Sequence, residues 1–171
     1  DRRQRQMCIR DSSTSIPVTL LSTPLCIDPK GNEGLNSQKT EPTNPLYSLD
    51  KQQSSLVYYD KNTIVLTMPY WVKVTNSSVE DSEVKKHSFV LSYDREAIKD
   101  TDTKLKLYIS HVVDDAGETV TRSNFTYAYR AYSIREALTA FSNKTGKLPK
   151  YLELTAQTNN SKDELKEENG E

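Results

Sequence analysis

Apolar and polar residues alternate with a period of two from Leu56 to about Arg130, the spacing of strands with one face turned to a core. Leu56 and Tyr58 alternate with Val57 and Tyr59, Asp60-Lys61-Asn62 supplies turn residues, and Ile64, Leu66 and Met68 follow, which predicts a first hairpin. After Pro69, which suits a strand start or edge, Tyr70, Val72 and Val74 share one face and Trp71, Lys73 and Thr75 the other. Residues 76–86 (NSSVEDSEVKK) read as an exposed loop. Phe89, Leu91 and Tyr93 form the next half-buried strand, residues 94–102 a charged connection, and Leu105, Leu107, Ile109 and His111 the longest alternation. Asp114-Asp115-Ala116-Gly117 predicts a hairpin turn, because glycine accepts the positive φ such loops use, with Val120 on a short return strand. Phe125, Tyr127 and Tyr129 mark the last clear strand, and their face is assigned to the core.

The period then lengthens. Ile134, Ala137, Leu138 and Phe141 fall on one helical stripe within residues 133–146, Ser133 and Glu136 have capping-box spacing, and Gly146 supplies a stop. A helix this short is not stable alone, so its stripe is expected to lie on the sheet. Tyr151, Leu152 and Leu154 then add a short strand or pack down. The expected architecture is mainly β (α+β): an antiparallel meander sheet over residues 54–157 with the one C-terminal helix packed on it. Residues 13–53 are expected to be a disordered leader or linker, with Leu35, Leu46, Tyr47 and Leu49 as their sizeable apolar side chains after residue 28. Residues 158–171 are expected to be an acidic disordered tail.

Composition supports this division. With 35% hydrophobic residues and a mean hydropathy of -0.74, the chain has too little apolar material to bury all 171 residues. A net charge of -1, from 23 basic and 24 acidic residues, gives no field that would hold nucleic acid. No apolar run approaches the ~18 residues of a membrane-spanning helix. Ile16 to Ile27 has the length of the apolar part of an export signal; Pro17 and Pro24 break it and no small-residue cleavage site follows, so a signal-peptide remnant within residues 13–53 is the alternative to a plain leader or linker. Lys162-Asp163-Glu164-Leu165 spells a retention signal in a position where it is not read.

Candidate chemistry is sparse. His87 and His111 are the usual-type bases available to a hydrolytic triad, and both read as ordinary strand histidines outside any motif. No spacing of His or Cys gathers metal ligands, and Asp100, Asp102, Asp114 and Asp115 read as turn carboxylates, so neither metal nor cofactor is expected. Of the two cysteines, Cys26 has no partner and Cys8 lies in residues 1–12. Those twelve residues, DRRQRQMCIRDS, resemble a translated sequencing adapter and are expected to be foreign to the protein, which would place the true N-terminus elsewhere. The ten tyrosines are more informative. Trp71, Lys73 and Tyr108 share strand faces with polar residues and are the candidate binding side chains.

Four fragments, Val57-Tyr-Tyr-Asp-Lys-Asn-Thr-Ile64, Trp71-Val-Lys-Val74, Leu91-Ser-Tyr-Asp94 and Tyr132-Ser-Ile-Arg-Glu-Ala-Leu138, resemble in order and spacing the surface-adhesin E family of bacterial envelope proteins. Arg95 stands where relatives in that family commonly carry a cysteine, so the disulfide often found there is not expected. The resemblance implies an exported, periplasmic or cell-surface protein, and the family's best-known member binds host matrix proteins. The expected function is therefore a non-catalytic adhesin-like binding domain with an extracellular protein or glycan as partner. A structural envelope component is the alternative, and a hydrolase using paired carboxylates stands third.

Overall fold

The computed structural model describes residues 35–49 and 56–161. They form seven strands, β1 (Leu35–Asn36), β2 (Leu56–Tyr58), β3 (Thr63–Val72), β4 (His87–Ser92), β5 (Lys104–Val113), β6 (Asn124–Ser133) and β7 (Tyr151–Thr155), with helices α1 (Asp81–Val84) and α2 (Arg135–Thr145). The fold is mainly β, and α2 is the late helix the periodicity predicts. The strands make two sheets in the orders β1-β4-β5-β7 and β2-β3-β6. Pairing is antiparallel except at β1–β4 and β5–β7, which are parallel, so the chain is not one continuous meander.

The sheets share one core. Ile64, Leu66, Met68, Tyr70 and Val72 of β3, Phe89 and Leu91 of β4, and Leu105, Leu107 and Ile109 of β5 are buried in a single cluster. The first hairpin forms as expected, with Leu56 opposite Leu66 and Tyr58 opposite Ile64, and the Asn62 amide donates to the Asp60 carboxylate at 2.7 Å across its turn. Pro69 lies inside β3 rather than beginning a strand. Its carbonyl accepts the Tyr47 amide at 2.9 Å, so the donor it lacks faces away from β6 and the β3–β6 ladder passes it without a gap.

Several expectations are corrected. The turn at Ala116 (φ 52°) and Gly117 (φ 83°) exists, closed by the Glu118 amide on the Asp115 carbonyl at 2.9 Å. It is not a hairpin: β5 and β6 belong to different sheets, and Val120 lies in the loop that crosses between them. In β6 the faces are reversed. Ala128 and Tyr132 point inward, opposite Met68 and Ile64, while Phe125 and Tyr127 are each 45% exposed. Residues 76–86 are not wholly loop. Asn76 and Ser77 take positive φ in a tight turn between Thr75 and Ser78, after which α1 buries Glu83.

The helix carries its expected stripe, burying Ile134, Ala137, Ala140 and Phe141, and ends on Gly146 at φ 73°. The capping box does not form: Ile134 occupies the N-cap with no side-chain hydrogen bond, and the Glu136 carboxylate instead accepts the Tyr93 hydroxyl at 3.2 Å.

The boundaries also shift. Within the segment expected to be a disordered leader, β1 pairs with β4 and Leu46 is fully buried. The Leu46 amide donates to the Gln157 carbonyl at 2.9 Å, and its carbonyl accepts the Asn159 amide at 2.8 Å, so the residues at 158 and 159 belong to the fold too. One leucine among polar residues leaves no periodicity to detect, and it is backbone pairing that holds it. The adapter-like residues 1–12, the Ile16–Ile27 stretch, Cys26 and the acidic residues after Ser161 lie outside the described residues.

Candidate functional site

The three side chains expected to bind are not brought together. Trp71 is only 6% exposed, against the expectation that it faces solvent. Its indole N–H donates to the Asn159 carbonyl at 2.8 Å, and the Tyr47 ring meets it edge-on at 5.1 Å. Both covering residues come from segments that carry no strand pattern, which is why alternation within β3 leaves the tryptophan looking wet. Lys73 is exposed, just beyond the end of β3 on the Trp71 side of the strand's alternation. Tyr108 is half-buried on the outer face of the other sheet, with the Lys39 ammonium 5.8 Å from its ring centre.

What the outer face of the three-stranded sheet does present is a row of rings on β6. Phe125 stacks on Tyr47 at 4.2 Å, Tyr127 meets Phe125 edge-on at 6.0 Å, and Tyr129 lies 6.4 Å beyond Tyr127. Register places the row over β3, with Phe125 opposite Trp71, Tyr127 opposite Pro69 and Tyr129 opposite Thr67. Alternation in β6 identifies these residues as one face. Sequence reasoning turned that face inward because aromatic residues usually fill thin β cores.

The histidines read as isolated strand residues are in contact with each other. His111 Nδ1 lies 3.1 Å from the Pro45 carbonyl, which can only accept, so this nitrogen carries the proton. His111 Nε2 must then accept from His87 Nδ1–H at 2.8 Å, leaving His87 Nε2 as a bare acceptor 3.3 Å from Glu83 Oε1. Two acceptors facing each other account for the length of that last contact. The same Glu83 oxygen takes firm hydrogen bonds from Arg122 Nε at 2.7 Å and the Lys73 amide at 2.9 Å, and Arg122 also grips Asp115 through two bonds of 2.8 and 2.7 Å. The cluster ties β3, α1, β4, β5 and the crossing loop together at one end of the sandwich.

Its electrostatics follow from burial. Removal from water holds His111 down at about 3, helped by the neighbouring His87 and Arg122. Burial also lowers His87, against the opposing pull of the Glu83 carboxylate. For Glu83 burial acts upward, but the bonds from Arg122 and the Lys73 amide, with the charge of Arg122, outweigh it and keep the carboxyl below its ordinary range. Hydrogen bonding from Arg122 lowers Asp115 likewise. With His87 5% and His111 1% exposed, this is a structural assembly rather than a place where substrate meets a base. Among the described residues no group of three His, Cys, Asp or Glu side chains is arranged to hold a metal, and no helix is long and apolar enough to cross a membrane.

No family model matches the sequence, and no curated protein matches it either. Among solved structures, the chain is similar to a protein of Bacteroides fragilis NCTC 9343 described as a "Putative lipoprotein", with 30% identity and a TM-score of 0.70 over 87% of this chain and 69% of that one. Identity at that level across both sheets goes beyond a shared fold. The chain belongs to the same family as this Bacteroides fragilis protein.

Proposed function

We propose that the protein is an exported, non-catalytic binding protein of the bacterial envelope that docks an extracellular protein on the outer face of its three-stranded sheet. Membership in one family with a protein described as a lipoprotein supports the envelope setting, as does the resemblance of its strand and helix motifs to surface-adhesin E. The observation that carries the binding reading is the contiguous row Tyr47, Phe125, Tyr127 and Tyr129, backed by the buried Trp71. Tyrosine and phenylalanine give large contact area for little conformational entropy and dominate the energetics of protein interfaces. Held over a rigid strand pair, they are ordered before a partner arrives. Lys73 lies beyond the end of β3, next to this face, where a charge can steer the encounter without being desolvated.

The test is binding of the full chain to immobilised matrix glycoproteins, with and without enzymatic deglycosylation. Phe125→Ser combined with Tyr127→Ser is expected to abolish binding while changing the melting temperature little, because both rings are outside the core. Binding that survives the double substitution overturns the reading for this face. Binding that disappears on deglycosylation makes the partner a glycan and overturns the protein assignment.

A further inference from the structure

A second feature lies along α2, and no residue of the aromatic row lines it. A groove of about 500 Å³ is lined by α2, by Tyr93 and Arg95 of the chain that leaves β4, and by Leu35 of β1. This is within the size range of small-ligand sites. Its charged lining consists of Arg95 and Arg135 against one carboxylate, Glu136, which already accepts the Tyr93 hydroxyl. Neither guanidinium is in an ion pair among the described residues. The Arg122 guanidinium, by contrast, is clamped by two carboxylates, whereas Arg95 and Arg135 make no salt bridge beside this opening and only the longer-range charge of Asp60 acts on Arg135.

The neutral lining completes the chemistry. Thr139 gives its hydroxyl proton to the Arg135 carbonyl at 2.9 Å and keeps its oxygen free to accept, while the Asn143 amide, one helical turn on, can both donate and accept. We infer that this groove binds an acidic saccharide, a uronic-acid unit whose carboxylate lies between Arg95 and Arg135 and whose hydroxyls meet Thr139 and Asn143. Arginine forks match a planar carboxylate, and a ring that carries both charge and hydroxyls matches a lining that carries both complements. The site is separate from the aromatic face and does not depend on it.

The experiment is a titration of the isotope-labelled full chain with glucuronate, followed by amide chemical shifts, with glucose and acetate as comparison probes at equal ionic strength. Shifts are expected at Arg95 and along residues 135–143, with glucuronate binding tighter than either comparison probe. Arg95→Ala and Arg135→Ala are each expected to weaken glucuronate by about tenfold or more, the usual cost of losing a charge-assisted hydrogen bond. Both side chains are exposed, so unchanged melting temperatures will show that the variants fold. Asn143→Ala is expected to weaken glucuronate and leave acetate unaffected. The inference is overturned if acetate binds as well as glucuronate, which would leave only a patch attractive to anions. Glucose binding equally well, or glucuronate shifting no groove residue, overturns it too. Loss of protein docking by the Phe125 and Tyr127 variants would leave these results untouched.

Discussion

At the scale of single residues, His111 gives the clearest solution signature. Its folded value of about 3 lies far below the ~6.5 of an unfolded histidine, so between those limits the unfolded chain takes a proton that the native core refuses. The associated stability is full above about pH 6.5 and is lost as pH falls toward 3. His87, lowered in the same sense, adds to the loss, and the lowered carboxyls of Glu83 and Asp115 contribute only further down, below about pH 4.5. Urea denaturation at pH 7.5 and pH 5 is expected to show a loss of roughly 2 kcal/mol from His111 alone, at about 1.4 kcal/mol per pH unit over the last 1.5 units. His111→Asn should be less stable at neutral pH yet less sensitive to acid. Equal stability of the native chain at both pH values would contradict the buried neutral assignment. None of this was legible in the sequence, because His87 and His111 come together only through the register of β4 and β5, offset so that His111 lies opposite Phe89.

Among the elements, alternation located nearly every strand and the helix, since a period is a local property of the chain. It did not give the sheet to which a strand belongs. The turn at Gly117 has hairpin residues and serves a crossing between layers, because the strands on either side found partners elsewhere, β4 and β7 for one and β3 for the other. Nor could it orient β6, where the face with Phe125, Tyr127 and Tyr129 looks the more apolar, yet the face with Tyr132 and the small Ala128 is the one that packs inward, Ala128 opposite Met68. The conformation at Gly117 remains demanding in its crossing role. At φ 83° a β-branched side chain is strained even though nothing lies within 4 Å of the missing Cβ. Gly117→Val is expected to cost about 1–3 kcal/mol in chemical denaturation, and Gly117→Asn much less, since asparagine tolerates that region. Equal losses for the two variants would show that the backbone conformation is not the cause.

For the whole molecule, the decisive feature is that the two ends of the described chain close on one another. Leu46 bridges both Tyr70 and Thr158, and Asn159 accepts the Trp71 indole while donating to Leu46. A chain ending at Gln157 would orphan the indole N–H and the Leu46 carbonyl, whereas one ending at Ser161 keeps both partners. The shorter chain is expected to be less stable by about 1–3 kcal/mol, the penalty for stranding buried polar groups, with the denaturation midpoint as the measure. Coincident midpoints would rule out that closure as a source of stability. The same closure has a consequence for timing. A ribosome delivers Leu46 and Trp71 long before Asn159, so the Leu46 carbonyl and the indole N–H have to wait for these partners until Asn159 emerges. Contacts this distant in sequence also form slowly.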